Sequence, residues 1–234
     1  LLPDGGFLLC IGSRRHAASD WKRDLMEGGA SGCLLRLDPA GGLATLTEGL
    51  AFPYGAAVLP DGRLVVSESW RHRLLEVPLD GGWPRERLAD LPAYLARLAA
   101  AADGGLWMAL FAPRRQLFEM VLREQGYRQA MLESMPADEW IGPDFASSAA
   151  PEQPLQQGSV RQMGVMKPWA PSRSYGLVAR CDADLSVAES WHSRADGTLH
   201  GITDLCPFRG AVYAAARGAG QLLRLEHAPA EEGP

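Results

Sequence analysis

The sequence predicts an all-β fold, a β-propeller made of repeated blades of antiparallel strands. The first observation is a recurring turn, in which Asp-Gly or a close variant precedes a short apolar run. Its copies begin at Asp4, Asp61, Asp103 and, in a weaker form, Arg209. Asp-Gly supplies the positive φ angles of a tight hairpin turn, so each copy marks two antiparallel strands.

The spacing of the copies is that of a propeller blade. Asp61 and Asp103 lie 42 residues apart, and a four-stranded blade takes about 40–50 residues. A second apolar run follows each turn, at residues 34–38, 74–77, 177–180 and 222–225. We therefore expect about four blades in this chain, with insertions in the longer intervals between the other copies.

The two long intervals hold segments that are not strand-like. The first contains a predicted helical turn at residues 21–27. In the second, Leu and Met recur at helical spacings between 117 and 135, and prolines interrupt regular structure from 136 onwards. We predict a helical insertion around 114–140, within a helical and irregular insertion that spans 114–173. The propeller domain is assigned to 1–226 and a flexible tail to 227–234.

Composition and charge exclude several classes. The net charge is -5 and the isoelectric point about 5.6, whereas nucleic-acid-binding domains usually carry a basic face. No apolar run is long enough to predict a transmembrane segment. The four cysteines are scattered without Cys-x-x-Cys spacing, so no zinc site is predicted. The compartment stays open.

Four segments carry motifs of a known family. Residues 49–55 read Gly-Leu-Ala-Phe-Pro-Tyr-Gly, and the Asp61 turn follows, with Glu68 and Arg73 five positions apart. The family pattern there is Gly-Leu-x-Phe-Pro-Asn-Gly, an Asp-Gly hairpin and Glu-x4-Arg. Residues 20–39, 91–110 and 201–213 match further motifs in the same order. In combination the chain resembles the strictosidine synthase-like family over nearly its whole length.

The resemblance implies a six-bladed propeller related to SMP-30/gluconolactonase proteins and paraoxonase-type esterases. The active site of such proteins lies in the central channel, at one mouth of the ring. In that register the first one or two blades lie upstream of residue 1. Residues 167–177 resemble a bacterial branch that is associated with ABC-transporter permeases. The expected partners are therefore a small molecule and such a permease.

Two positions at which the family holds a metal ion differ here. Hydrolytic relatives bind a divalent ion, usually calcium, and such ions require several oxygen ligands. Tyr54 stands where the family has Asn, and Ala96 and Arg97 stand where it has Asp-Asn. Alanine cannot ligate, and a guanidinium repels a cation. We therefore predict no metal ligands and no other cofactor.

Two functions stay open, and whether the protein is an enzyme is undecided. One is an esterase- or lactonase-type hydrolase whose usual metal ligands have been replaced. The other is a non-catalytic propeller that binds an anionic small molecule through Arg97, in association with a transporter. A third interpretation pairs Arg97 with Glu68 or Asp204. Strictosidine synthesis itself is not expected, because Thr203 takes the position of the family's catalytic Glu.

The candidate site residues follow from these positions. Catalytic candidates are Glu68, His72 and His200, because a carboxylate or an imidazole can act as a general base near neutral pH. Ligand-binding candidates are Tyr54, Arg97, His16 and Thr203. Strand alternation predicts that Asp204 points away from the face of Thr203. As alternatives, Glu68 pairs with Arg71 or Arg73, and each histidine is an ordinary hydrogen-bonded residue.

Overall fold

The structure, a computed structural model, describes residues 2, 4–145, 161–162, 165–166, 176–193 and 199–225. It is mostly β-sheet, in four antiparallel sheets that we call A to D. Sheet A contains β1 (Phe7–Ile11), β2 (Gly32–Leu37) and β3 (Leu43–Leu50). Sheet B contains β4 (Pro53–Val58), β5 (Leu64–Glu68), β6 (Arg73–Val77) and β7 (Arg85–Leu88).

The remaining strands form sheets C and D and one short hairpin. Sheet C begins with β8 (Ala93–Ala100) and β9 (Leu106–Pro113). The hairpin of β10 (Arg161–Gln162) and β11 (Val165–Met166) follows along the chain. Sheet C is completed by β12 (Leu177–Cys181) and β13 (Val187–His192). Sheet D contains β14 (Ile202–Phe208), β15 (Ala211–Ala216) and β16 (Gln221–Leu225).

The predicted turns have one common geometry. Gly5, Gly62 and Gly104 have φ angles of 86°, 88° and 91°, values that favour glycine because it has no Cβ. In each turn the Asp side chain accepts the backbone N–H two residues later, at 2.9–3.2 Å. At the fourth turn both Arg209 and Gly210 have positive φ. The four turns and the apolar strands that follow them are confirmed, and the turns at Asp61, Asp103 and Arg209 join paired antiparallel strands.

The sheets meet along the strands that precede these turns. β4 contacts β8, and β8 contacts β14. We call β4, β8 and β14 the inner strands. β1 contacts β4, but it follows its turn, as β5, β9 and β15 do, and it is an edge strand among the described residues. Sheets packed side by side along their inner strands are consistent with a β-propeller in which each sheet is a blade.

Apolar side chains fill the spaces between neighbouring sheets. Leu34, Leu46, Leu64, Val66 and Leu75 pack between sheets A and B. A second cluster lies between sheets B and C and includes, among its fully buried members, Val65, Leu74, Leu95, Leu106 and Met108. The alternating apolar residues of each strand therefore face a neighbouring blade, so both faces of sheet B are covered.

Three helices cover one end of sheets B and C. They are α1 (Trp21–Met26), α2 (Gln116–Arg123) and α3 (Gln125–Ser134). Met26 of α1, Phe118 of α2 and Met131 of α3 are buried in one cluster with Tyr94 and Phe111. The helical turn predicted at 21–27 is confirmed, and α2 and α3 lie within the segment 114–140 for which the sequence predicts a helical insertion. Within the described part of the chain, no helix is both long and apolar enough to cross a membrane.

Some predicted segments lie outside the described residues. They are 146–160, 163–164 and 167–173 of the predicted insertion, and the tail at 227–234. Most of the segment that resembles transporter-associated relatives, 167–177, lies outside as well.

Candidate functional site

Irregular pairing interrupts the three inner strands at similar positions. In β4, Tyr54 lies between two residues that pair with Glu68 and Ser67. In β8, Ala96 and Arg97 are skipped between two paired residues, and in β14 Thr203 is skipped. Such bulges change the direction in which side chains point and occur often beside functional sites. Three ligand-binding candidates, Tyr54, Arg97 and Thr203, are therefore bulge residues of neighbouring sheets.

Serines of sheet B support the bulge in β8. The Ser67 hydroxyl donates to the carbonyl of Ala96 at 2.7 Å and accepts the N–H of Gly55 at 2.9 Å. The Ser69 hydroxyl donates to the carbonyl of Leu95 at 2.7 Å. A Cβ at Gly55 would lie 2.6 Å from the Cα of Arg97. Only glycine therefore lets β4 approach β8 this closely, and the approach brings Tyr54 near Arg97.

Arg97 forms an ion pair across the inner strands. Its Nη1 donates to Oδ2 of Asp204 at 3.2 Å, and both side chains are about half exposed. The pairing with Asp204 that the sequence left open is therefore present. Thr203, a predicted ligand-binding residue, is buried. The side chain of Asp204, and not that of Thr203, faces the space beside Arg97. Irregular pairing between Ile202 and Asp204 in β14 determines which of the two side chains points to this space.

A second guanidinium, that of Arg217, lies beside Tyr54. It follows β15 and sits over the ring of Phe145, 4.5 Å from the ring centroid. A Cβ on Gly201 or Gly218 would clash with the backbone carbonyl of Phe145. These two glycines therefore allow Phe145 to lie against sheet D, where its ring supports the guanidinium.

The Tyr54 phenol connects the two arginines. Burial raises the pKa of Tyr54, while the charges of Arg217 and Arg97 and a hydrogen bond from Arg217 act in the opposite direction. The phenol is therefore protonated at neutral pH, and its oxygen accepts from Arg217. Its O–H remains a donor for a group that enters between the arginines.

Two cavities meet at this cluster of Tyr54, Arg97, Asp204 and Arg217, which we call the arginine cluster. The axial cavity, of about 440 Å³, is lined by the edge of β1, by Tyr54, by Arg97 and by Asp204. The mouth cavity, of about 250 Å³, is lined by Tyr54, Arg97 and Arg217 and by aromatic rings. Tyr54 and Arg97 line both, so the two spaces share a positively charged boundary.

Cys10 also lines both cavities. Burial raises the pKa of its thiol to about 12, although the charge of Arg97 acts against this shift. The thiol is therefore neutral at physiological pH, and it gives the site an uncharged wall beside the arginines.

Glu68, a catalytic candidate, forms structural ion pairs. Its side chain is completely buried, and Oε1 accepts the N–H of Ala51 at 2.7 Å and Nη1 of Arg71 at 2.9 Å. Oε2 accepts Nε of Arg73. Both carboxylate oxygens are therefore engaged in fixing the turn after β5, as the alternative interpretation of the sequence proposed. Glu68 lines neither cavity.

His72, another catalytic candidate, lies beneath helix α2. Its Nδ1 is 3.1 Å from the carbonyl of Ala93, its Nε2 is 3.7 Å from Oε1 of Glu119, and its ring contacts Tyr94 edge to face at 4.4 Å. Burial, followed by the nearby charge of Arg114, lowers the pKa of His72 to about 4. The ring is therefore neutral near pH 7 and packs within a buried cluster.

The other two histidine candidates lie apart from each other. His16 is paired through Nε2 with Glu27 at 2.8 Å, just after α1. His200 is buried beside Gly218, which precedes β16 and follows Arg217. Of the seven candidates, the structure brings Tyr54 and Arg97 together around a cavity. Glu68, His72 and His16 have partners elsewhere, while His200 and Thr203 are buried near the start of β14.

Sequence reasoning missed Arg217, Ser67 and Ser69. One signal could have found Arg217. The position seven residues after each turn glycine is occupied by Gly12, Ser69, Phe111 and Arg217. Gly12 and Arg217 line the mouth cavity, and Phe111 contacts Tyr54 and Phe145. Three of these four positions therefore lie at or beside the mouth cavity, and Arg217 is the charged residue among them.

The donor set of the arginine cluster does not fit a divalent cation. Asp204 is its one carboxylate, and that carboxylate is paired with Arg97. Tyr54 contributes a protonated phenol, and two guanidiniums repel a cation. Across the described residues, no group of three or more His, Cys, Asp or Glu side chains is arranged to hold a metal ion. The residues of the arginine cluster therefore do not suit a divalent metal ion.

Comparisons with solved structures support the propeller fold. The chain is similar to a luciferin-regenerating enzyme, with 10% identity and a TM-score of 0.51 over 91% of this chain. It is also similar to regucalcin from Agrobacterium tumefaciens, described as a calcium-binding protein, with 15% identity and a TM-score of 0.50 over 92% of this chain. At such identities the similarity shows the fold alone, which is consistent with a β-propeller.

The chain spans about half the length of these structures, 50% of the first and 51% of the second. Neither a scan against protein-family models nor a search of the curated proteins finds a match.

Proposed function

We propose that this chain contributes a binding site for a small organic anion, in which Arg97, Arg217 and Tyr54 hold a carboxylate. The observation that carries the proposal is that two guanidiniums and a phenol line the mouth cavity, while Arg97 and Tyr54 also line the adjoining axial cavity with the one opposing carboxylate, that of Asp204. Charge in the cluster therefore favours an anion over a cation or an uncharged molecule.

The chemistry of the cluster suits a carboxylate. Guanidinium groups bind carboxylates through charge-assisted, often bidentate, hydrogen bonds. Phe145 fixes the plane of Arg217, and Asp204 holds Arg97 extended toward the cavities. Side chains that are already ordered lose less entropy when a ligand binds. The Tyr54 O–H donates a third hydrogen bond to the same group.

Calorimetric titration with benzoate and with benzyl alcohol tests the proposal, because the two probes share a ring and differ in charge. We expect benzoate to bind and benzyl alcohol not to bind. Arg217→Gln should weaken benzoate binding by about 10- to 100-fold, the range expected when one charge-assisted hydrogen bond is lost. Equal binding of both probes, or an unchanged affinity in Arg217→Gln, would contradict the proposal.

Arg209→Gln is the matched control. Arg209 carries the same charge but lies in the turn of sheet D, at the opposite end of β15 from Arg217. The control should bind benzoate as the wild type does. A loss of affinity in both variants would assign the effect to net charge and would also count against the site.

The finer family placement belongs to the same proposal. We propose, from its motifs, that the chain belongs to the strictosidine synthase-like branch, and the association with an ABC-transporter permease stays a prediction. Esterase or lactonase activity, with Glu68, His72 or His200 in catalytic roles, stays a prediction too. Turnover of phenyl acetate and of a lactone panel tests it. Turnover that a chelator abolishes would contradict a site that only binds anions.

A further inference from the structure

The mouth cavity differs from the axial cavity in its walls. Three aromatic side chains line it, those of Trp21, Phe52 and Phe145, in addition to Tyr54. Asp204, the acid of the cluster, lines only the axial cavity, and none of the described residues that line the mouth cavity is acidic. The mouth cavity therefore combines aromatic surface with two guanidiniums, of which only Arg97 is paired with an acid, Asp204, among the described residues.

The aromatic walls are held in place by contacts outside the cavity. Trp21 contacts Phe145 edge to face, with 5.1 Å between ring centroids, and it also contacts Phe111. Phe52 stacks on Trp70 at 4.3 Å, and the indole N–H of Trp70 donates to the buried Asp24 at 2.8 Å. Because the rings are packed from behind, they form a rigid surface.

Two arginines form the charged end of the mouth cavity. Arg217 lies over Phe145, and none of the described acids pairs with its guanidinium. Arg97 reaches the same cavity from β8. A ligand whose charged group meets both arginines would have its remaining atoms against Trp21, Phe52 and Phe145.

The size of the cavity limits the ligand. Its volume of about 250 Å³ lies just below the range of about 300–1,000 Å³ that is usual for drug-sized ligands. A body of one or two rings suits this space. A two-carbon acid such as acetate would satisfy the arginines and leave the aromatic walls uncovered.

We propose that the mouth cavity selects aromatic carboxylates, with the carboxylate on Arg217 and Arg97 and the ring against Phe145 and Trp21. This inference rests on the anion-binding function proposed above and names the class of ligand. Edge-to-face and offset-stacked ring contacts favour an aromatic body over a saturated one of the same size.

Competing carboxylates test the selection. Benzoate, cyclohexanecarboxylate and acetate are titrated by calorimetry, with Trp fluorescence as a second readout because Trp21 lines the cavity. We expect benzoate to bind at least 10-fold more tightly than acetate and several-fold more tightly than cyclohexanecarboxylate. Equal affinities for benzoate and cyclohexanecarboxylate would overturn the aromatic selection.

Substitutions at Phe145 separate this inference from the anion site. Phe145→Leu should weaken benzoate binding about 10-fold more than it weakens acetate binding, because both anions lose the ring's support of Arg217 but only benzoate loses a ring contact. Phe145→Trp, which keeps a ring, should retain benzoate binding. Circular dichroism and thermal melting of both variants check folding, and Phe52→Leu provides an independent position if Phe145→Leu unfolds. Loss of benzoate and acetate alike in Phe145→Leu, with the fold intact, would overturn the proposed role of the ring.

Two outcomes distinguish the failures. If all three carboxylates bind with equal affinity and Arg217→Gln abolishes the binding of each, the proposed anion site is supported and the proposed selectivity for aromatic carboxylates is wrong. If none binds, the anion site itself fails.

Discussion

The arginine cluster and the cluster beneath α2 use the same kinds of side chain in opposite ways. In the first, Tyr54 accepts a hydrogen bond from Arg217, is influenced by the charge of Arg97, and borders two cavities. In the second, which comprises His72, Tyr94, Arg114 and Glu119, the Tyr94 side chain is completely buried. Arg114 binds Glu119 through two hydrogen bonds, at 3.0 and 3.3 Å, in that second cluster.

The difference between the clusters lies in what each charge faces. The guanidinium of Arg114 is neutralised by Glu119, and the pair fixes α2 over the start of β8. Arg217 is held by an aromatic ring, which orients it without neutralising it. A titratable group is therefore a stronger functional candidate when its neighbours position it and leave its charge in an accessible cavity. The comparison predicts that changes near α2 alter stability, and that changes in the arginine cluster alter binding.

Replacing Glu68 should give the largest effect on stability. Glu68→Gln removes a buried negative charge and leaves Arg71 and Arg73 facing a neutral amide. Breaking a buried ion pair typically costs about 3–5 kcal/mol, and we expect about 3 kcal/mol in the free energy of unfolding. Urea denaturation measures it. Benzoate affinity should not change, and a loss of affinity with intact stability would instead place Glu68 in the site.

Glu86→Gln is the control for that change. Glu86 also pairs with Arg73, at 2.7 Å, but about half of its side chain is exposed. Exposed pairs contribute about 0–1 kcal/mol, so the control should unfold at nearly the wild-type urea concentration. A destabilisation equal to that of Glu68→Gln would show that Arg73, and not the buried carboxylate, determines stability here.

The pH dependence of folding should report on His72. Its pKa is lowered from 6.5 to about 4 in the folded protein, chiefly by burial and then by Arg114. The neutral ring is favoured in the fold, so this contribution is fully present above pH 6.5 and is lost as pH falls toward 4. Between pH 7 and pH 5 we expect the wild type to lose about 2 kcal/mol through this residue.

His72→Asn provides the reference for that measurement. Asn tolerates the positive φ of 51° at this position, and its amide can donate to the carbonyl of Ala93 in place of the ring. Because Asn does not titrate, the variant should lose about 2 kcal/mol less than the wild type between pH 7 and pH 5. Urea denaturation measures the unfolding free energy of both proteins at each pH. An equal loss in the two proteins between pH 7 and pH 5 would contradict the lowered pKa of His72.

The sequence is sufficient to predict the turns and two members of the arginine cluster. Asp-Gly fixes a local geometry, so the turns at Gly5, Gly62 and Gly104 follow from short-range chemistry. Tyr54 and Arg97 are identified by their positions in family motifs. Neither inference requires knowledge of distant contacts.

The remaining members depend on long-range packing. Arg217 belongs to no recognised motif, and its support, Phe145, is distant in the sequence. The ion pair of Arg97 with Asp204 joins sheets C and D. Asp204 rather than Thr203 faces the axial cavity because pairing in β14 is irregular between Ile202 and Asp204. Strand alternation predicts opposite faces for Thr203 and Asp204, but it cannot show which face is the cavity.

The smallest expected effects compare the two tyrosines directly. The hydroxyl of Tyr94 is buried and has no hydrogen-bond partner among the described residues, and burial raises its pKa. Tyr94→Phe removes an unsatisfied polar group, so we expect a gain of about 1 kcal/mol in unfolding free energy. Tyr54→Phe should change the unfolding free energy by no more than about 0.5 kcal/mol, the usual range for substitutions without such a buried defect. It should weaken benzoate binding several-fold, because it removes the phenol O–H that donates to the ligand. Thermal melting and benzoate titration of both variants test the contrast. The reverse result, weaker binding in Tyr94→Phe and none in Tyr54→Phe, would move the ligand site from the arginine cluster to the cluster beneath α2.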